Sequence, residues 1–179
     1  MTTSDRVGAH LITREIGIDA GHRVTNHGSK CRNVHGHRYR IEVVCLGRLQ
    51  TEGEQEGMLV DFGFLKQEMV AVIDQYFDHG MILWRRDELT LATLSAADIE
   101  QVDQDIETRG FGFLPQTKFW GKLVVIPSVP TAENLAELWY KLLEPRVLER
   151  SNGHAEISHV KVWETPNCSA IYVETGGKK

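Results

Sequence analysis

The 179-residue chain has no long apolar run. No stretch approaches the about 18 consecutive apolar residues that a spanning helix needs, and Met1 to Arg6 carry no apolar core before a small-residue cleavage site. A cytoplasmic protein with no membrane partner is expected. Cysteine is scarce as well: Cys31, Cys45 and Cys168 are an odd number in a chain without a secretory leader. That argues against a disulfide framework and leaves at least one thiol free for chemistry. Basic surplus is missing, since 20 Lys and Arg against 25 Asp and Glu give a formal charge of −5. Phosphate neutralisation needs a net basic face, so no nucleic-acid partner is expected. Proline numbers only five, and no repeat or Pro/Gly/Ser linker divides the chain, so residues 1–179 are read as one domain. What is present, 41% hydrophobic and 25% charged residues, is the balance of a folded domain.

Hydrophobic periodicity sets the element order. Leu11 to Ala20 alternates as a strand and delivers Gly21-His22-Arg23 at its end. A second strand spans about His35 to Leu49, with His35, His37, Tyr39, Ile41 and Val43 on one parity and Arg38, Arg40 and Glu42 on the other. From Asp61, a candidate N-cap, to Phe77, apolar residues recur at three and four, the spacing of an amphipathic helix. Residues from about Trp84 to Lys122 have no clear period, although Ser95 with Asp98 three on predicts a short surface helix to Thr108. Leu123 to Ile126 is strand-like. Pro130-Thr131-Ala132-Glu133 opens a helix expected to stop near Pro145. Glu156 to Glu164 and Cys168 to Glu174 read as strands joined by a Thr165-Pro166-Asn167 turn. The expected class is α+β, a four-stranded antiparallel sheet with two helices packed on it.

His35 and His37, two apart on a strand, project to one face with backbones roughly 6.6 Å apart, close enough to share an ion. A third imidazole is needed for an open three-ligand site. His22 is best placed if the first two strands pair, and His27 is its competitor. Cys31 lies between Lys30 and Arg32, whose charges favour the thiolate. It is either a fourth metal ligand or an active-site base or nucleophile. Asp78-His79 can form a proton relay or simply end a helix. Glu164 closes an apolar Val-Lys-Val-Trp strand, where its two oxygens suit the guanidine-like edge of a heterocycle or merely face solvent.

Taken in order, Cys31-Arg-Asn-Val-His35-Gly-His37-Arg-Tyr39, Gly57-Met-Leu-Val-Asp61-Phe62, Phe77-Asp78-His79, Pro130-Thr131-Ala-Glu133-Asn134 and Trp163-Glu164-Thr165 resemble the 6-pyruvoyl-tetrahydropterin synthase superfamily. The three-residue gap between Cys31 and His35 resembles its bacterial 6-carboxy-5,6,7,8-tetrahydropterin synthases of queuosine biosynthesis. The biopterin-pathway synthases typically have a longer one.

The resemblance implies a tunnelling fold whose sheets join by their edges into an oligomeric barrel, commonly a hexamer, with an insertion here at about 84–122. It implies zinc on His22, His35 and His37, Cys31 as catalytic base, Asp78 and His79 as its relay, and Glu164 as pterin anchor. Thr131 and Lys30 join Glu164 as expected substrate contacts. The implied reaction converts 7,8-dihydroneopterin triphosphate to 6-carboxy-5,6,7,8-tetrahydropterin, acetaldehyde and triphosphate. The alternatives are 6-pyruvoyl-tetrahydropterin synthesis at the same site, or a silent pterin- or zinc-binding scaffold.

Overall fold

The first two strands form a long ribbon because both alternate over 13 residues. In the computed structural model, which describes residues 8–118 and 121–175, β1 (His10–His22) pairs antiparallel with β2 (His35–Gly47) along its whole length, from His10 opposite Gly47 to His22 opposite His35. One face of this ribbon carries Ile18, Ala20, Tyr39, Ile41 and Val43 into the core. The other face is charged, with Asp19 holding Arg38 through two hydrogen bonds of 2.9 and 2.6 Å.

After the ribbon, Asp61 caps α1 (Phe62–Met69), accepting from the backbone N–H groups of Gly63 and Phe64. The helix continues through a π-helical segment (Val70–Asp74) into α2 (Gln75–Phe77). The sequence-predicted helix from Asp61 to Phe77 is therefore present with one wider turn. Next, β3 (Met81–Trp84) runs parallel to β1, pairing at Gly21 and His22.

Residues 84–118, from the segment that has no clear sequence period, are ordered. They hold α3 (Glu88–Thr93), α4 (Ala96–Arg109) and β4 (Gly112–Leu114). The Ser95 and Asp98 capping box opens α4 as expected, and Gly110 closes it with a left-handed φ of 88°. A second small core joins Val102, Ile106 and Leu114 of this segment to the flanking Leu83, Leu123 and Val125. The six-residue α3 and three-residue β4 are too short for a period to stand out, and α4 fully buries only Val102, so it has no apolar stripe.

The chain returns through β5 (Leu123–Ile126), which is parallel to β3, and then through α5 (Ala132–Arg150). The helix does not stop at Pro145. Beyond it, Val147 is fully buried, and Arg146 and Arg150 both bind the buried Glu68 of α1 at 2.6 Å. These tertiary contacts offset the lost N–H and the ring clash of a mid-helix proline. Strands β6 (Ala155–Thr165) and β7 (Cys168–Tyr172) complete the sheet, in the order β4-β5-β3-β1-β2-β6-β7.

Among the described residues, the expected four-stranded antiparallel sheet is thus the β1-β2-β6-β7 part of a seven-stranded mixed sheet, and α3 and α4 accompany it besides the two expected helices, the one running from α1 into α2, and α5. Strand β3 is four residues long with Ile82 and Leu83 both buried, so it lacks the in-out alternation of a half-buried strand. Helices α1 and α5 cover the ribbon's apolar face, where Trp139, Tyr39 and Phe77 are the largest fully buried side chains. No helix among the described residues is long and apolar enough to cross a membrane.

Candidate active site and metal centre

At the open end of the β1-β2 ribbon, the antiparallel register sets His22 directly opposite His35, with His37 two residue pairs further along and opposite Ala20. All three imidazoles share the helix-covered face, and one ligand atom from each lies within 4.8 Å of the others. His22 and His35 approach Nε2 to Nε2 at 3.1 Å. Their other nitrogens are occupied: His22 Nδ1 donates to the carbonyl of Pro130 at 2.7 Å, and His35 Nδ1 to that of Asn33 at 2.8 Å. Backbone carbonyls in these places select the tautomer that leaves Nε2 as a free electron pair.

Burial strengthens this arrangement. It holds the His22 imidazole below its ordinary pKa against the opposing pull of the Pro130 carbonyl and Glu164, and it lowers His37 in the same way. Neutral imidazoles are the form a metal needs. Beneath the cluster, the fully buried Tyr39 meets the rings of His22 and His37 edge-on at 5.9 and 5.7 Å. Three imidazoles with a common focus fit zinc in an open, three-ligand site. His27, the competing ligand, stays outside the cluster and uses its Nδ1 to accept from the Ser29 N–H at 3.2 Å.

Glu164 reaches the same place by an irregularity. Trp163 pairs with Ser169 and Thr165 with Cys168, so Glu164 is the extra residue of a β-bulge. Bulges re-aim side chains beside sites. Here one carboxylate oxygen, Oε1, lies 3.5 Å from His22 Nε2 and 3.8 Å from His37 Nε2.

Cys31 sits in a short 3-10 turn (Lys30–Arg32), and its carbonyl accepts the N–H of Val24 at 2.8 Å. It lines a cavity of about 230 Å³ with His22, Thr131, Glu133, Glu164 and Cys168. Thr131 is also the N-cap of α5. Lys30 is exposed beside Cys31. The sequence reading missed the carbonyls of Pro130 and Asn33, for which no side-chain signal exists, and the presence of Cys168 in the Cys31 cavity. Its position one turn after Glu164 was the only sign.

Asp78 and His79 do not join this cavity within one chain. Asp78 Oδ2 accepts from His79 Nδ1 at 2.7 Å, and its Oδ1 accepts the Asp19 N–H at 2.8 Å. Burial pushes the Asp78 carboxyl up, but the Asp19 N–H and His79 outweigh it and hold the carboxyl below its usual range. His79 has a left-handed φ of 53° and a side chain 76% exposed. It lines a second cavity of about 630 Å³ with Asp19, Arg38, Met81 and Lys122, among others.

The family model of 6-pyruvoyl tetrahydropterin synthase matches residues 11–175, and the chain belongs to that family. Its α+β tunnelling fold is shared with solved structures. An uncharacterized protein from Wolinella succinogenes has TM-score 0.70 and 21% identity over 94% of this chain and 99% of its own. The Caenorhabditis elegans 6-pyruvoyl tetrahydropterin synthase has TM-score 0.58 and 23% identity over 94% and 97%. Within the family, the chain is similar to proteins named 6-carboxy-5,6,7,8-tetrahydropterin synthase. That of Rickettsia bellii is 31% identical over 87% of this chain and 94% of its own, and that of Haemophilus influenzae 28% over 91% and 98%.

Proposed function

We propose that this chain is a zinc-dependent lyase that converts 7,8-dihydroneopterin triphosphate, with uptake of water, to 6-carboxy-5,6,7,8-tetrahydropterin, acetaldehyde and triphosphate in 7-deazaguanine (queuosine) biosynthesis. The observation that carries this reading is the convergence of His22, His35 and His37 beside a cavity that holds both Cys31 and Glu164. The names of its relatives point the same way.

His22, His35 and His37 would hold the ion. When bound, zinc is a Lewis acid that makes the hydrogens on the substrate's hydroxylated side-chain carbons acidic. The Glu164 carboxylate receives the paired N–H donors of the pterin ring, which fixes the side chain beside Cys31. Cys31 thiolate takes the proton, and His79, oriented by Asp78, returns one. Thr131 and Lys30 border the substrate.

Because His79 lines a different cavity from Cys31 in one chain, the relay is reached by placing His79 of one subunit against Cys31 of another. A homo-oligomeric barrel, most plainly a hexamer, does this, with residues 1–179 as a single domain. The test is product identification by mass spectrometry with zinc-loaded protein and dihydroneopterin triphosphate. Carboxytetrahydropterin and acetaldehyde are expected. Pyruvoyl-tetrahydropterin would assign the other activity of the family, and no turnover would leave a binding scaffold.

A further inference from the structure

The loop between the two ligand strands, residues 23–34, carries Cys31, yet most of its hydrogen bonds are internal. Val24 N–H donates to Cys31, His27 N–H to Val24, Arg32 N–H to Ser29 and Asn33 N–H to Lys30. Among the described residues, the polar contacts that tie it elsewhere are the Asn33 carbonyl on His35 and a group of contacts to one side chain, Asp87.

Asp87 has no exposed surface. It caps α3 through the Leu89 N–H at 2.8 Å and accepts a hydrogen bond from the Thr25 hydroxyl. The Arg23 guanidinium lies against the same carboxylate, Nε to Oδ2 at 3.0 Å, as a charge contact without hydrogen-bond alignment. A carboxylate taken out of water is tolerated only where donors surround it, and here two of its partners belong to the Cys31 loop.

The residue is itself held rigidly. Its N–H donates to Trp84 at 2.8 Å, and two residues before it Arg85 grips Asp103 of α4 with two hydrogen bonds of 2.6 and 2.8 Å. Trp84 Nε1 in turn binds the carbonyl of Pro127, three residues before the Pro130 carbonyl that orients His22.

We propose that residues 84–103 brace the Cys31 loop, with Asp87 as the positioning residue that sets Thr25 and Arg23 and, through the Val24 to Cys31 hydrogen bond, the thiol. The role of Cys31 in turnover rests on the reading above, but the brace is a property of the folded chain. Thr25→Val removes the hydroxyl at nearly constant volume, and Thr25→Ser restores it.

In zinc-loaded protein, Thr25→Val should speed amide exchange across residues 23–33 and alkylation of Cys31 by iodoacetamide, read by peptide mass. Exchange in β2 and α5 should stay as in the wild type. Its kcat should fall on the order of tenfold to a hundredfold, the scale of an ångström misplacement of a reacting group, with little change in KM. Asp87→Asn should do the same, and Thr25→Ser should match the wild type. Unchanged loop exchange and alkylation in Thr25→Val would overturn the brace, as would faster exchange spread evenly over all strands. If the wild type shows no turnover of the pterin triphosphate, the functional reading fails while exchange and alkylation still decide the brace.

Discussion

At the scale of single residues, the three imidazoles and Cys31 share one neighbourhood but have different tasks in the proposed reaction. His35 has its Nδ1 tied to the Asn33 carbonyl and its Nε2 at the focus of the cluster, so its removal leaves two ligands. We expect about one zinc per chain in the wild type, most of it lost in His35→Ala, since an open site needs three protein ligands. Cys31→Ala should keep the metal. Elemental analysis that finds zinc missing from the Cys31 variant would make the thiol a ligand. Glu164 is a sharper case, because its carboxylate sits beside His22 and His37. If it receives the pterin N–H pair, Glu164→Gln loses a charge-assisted two-point contact worth roughly 1.5–3 kcal/mol, about ten- to a hundredfold in kcat/KM. Zinc content and circular dichroism should be unchanged. Kinetics within error of the wild type would remove Glu164 from the anchor role.

At the scale of elements, caps and long-range anchors decide where helices begin and end. Asp61 satisfies two orphan N–H groups of α1, at 2.7 and 3.1 Å, ahead of the helix that leads to Asp78 and His79. Asp61→Ala should lower the free energy of unfolding by about 1 kcal/mol, read by urea titration, because the cap's hydrogen bonds are not replaced by protein groups. An unchanged midpoint would show that solvent satisfies those groups equally well. The same logic explains α5: the Pro145 signal is local, whereas the Glu68 anchors for Arg146 and Arg150 come from the far side of the chain.

At the scale of the whole molecule, the sheet ends in β4 on one side and β7 on the other. β7 is an open edge with Ile171 half exposed and Val173 beyond it exposed too. Open edges invite pairing, and closure between subunits removes them. The separation of His79 from the Cys31 cavity within one chain gives the same closure a catalytic reason. We expect a homo-oligomer, most plainly a hexamer, by light scattering at micromolar concentration. A monomer under those conditions would contradict both the barrel and the shared site.

The sequence by itself determined the ribbon and the common face of His35 and His37. Two long alternating strands with His35 and His37 on one parity bring a His22 at the preceding strand's end opposite them once the strands pair, because side-chain period and antiparallel register follow from the backbone alone. Capping signals at Asp61, Ser95 and Thr131 were equally legible, since each acts within three residues. Tertiary structure alone decided the rest. The choice of His22 over His27, the Pro130 carbonyl that sets its tautomer and the ordering of residues 84–118 depend on partners far along the chain, and the bulge that turns Glu164 toward the imidazoles depends on how β6 pairs with β7. Such contacts carry no local period or motif, so they exist only once the chain has folded.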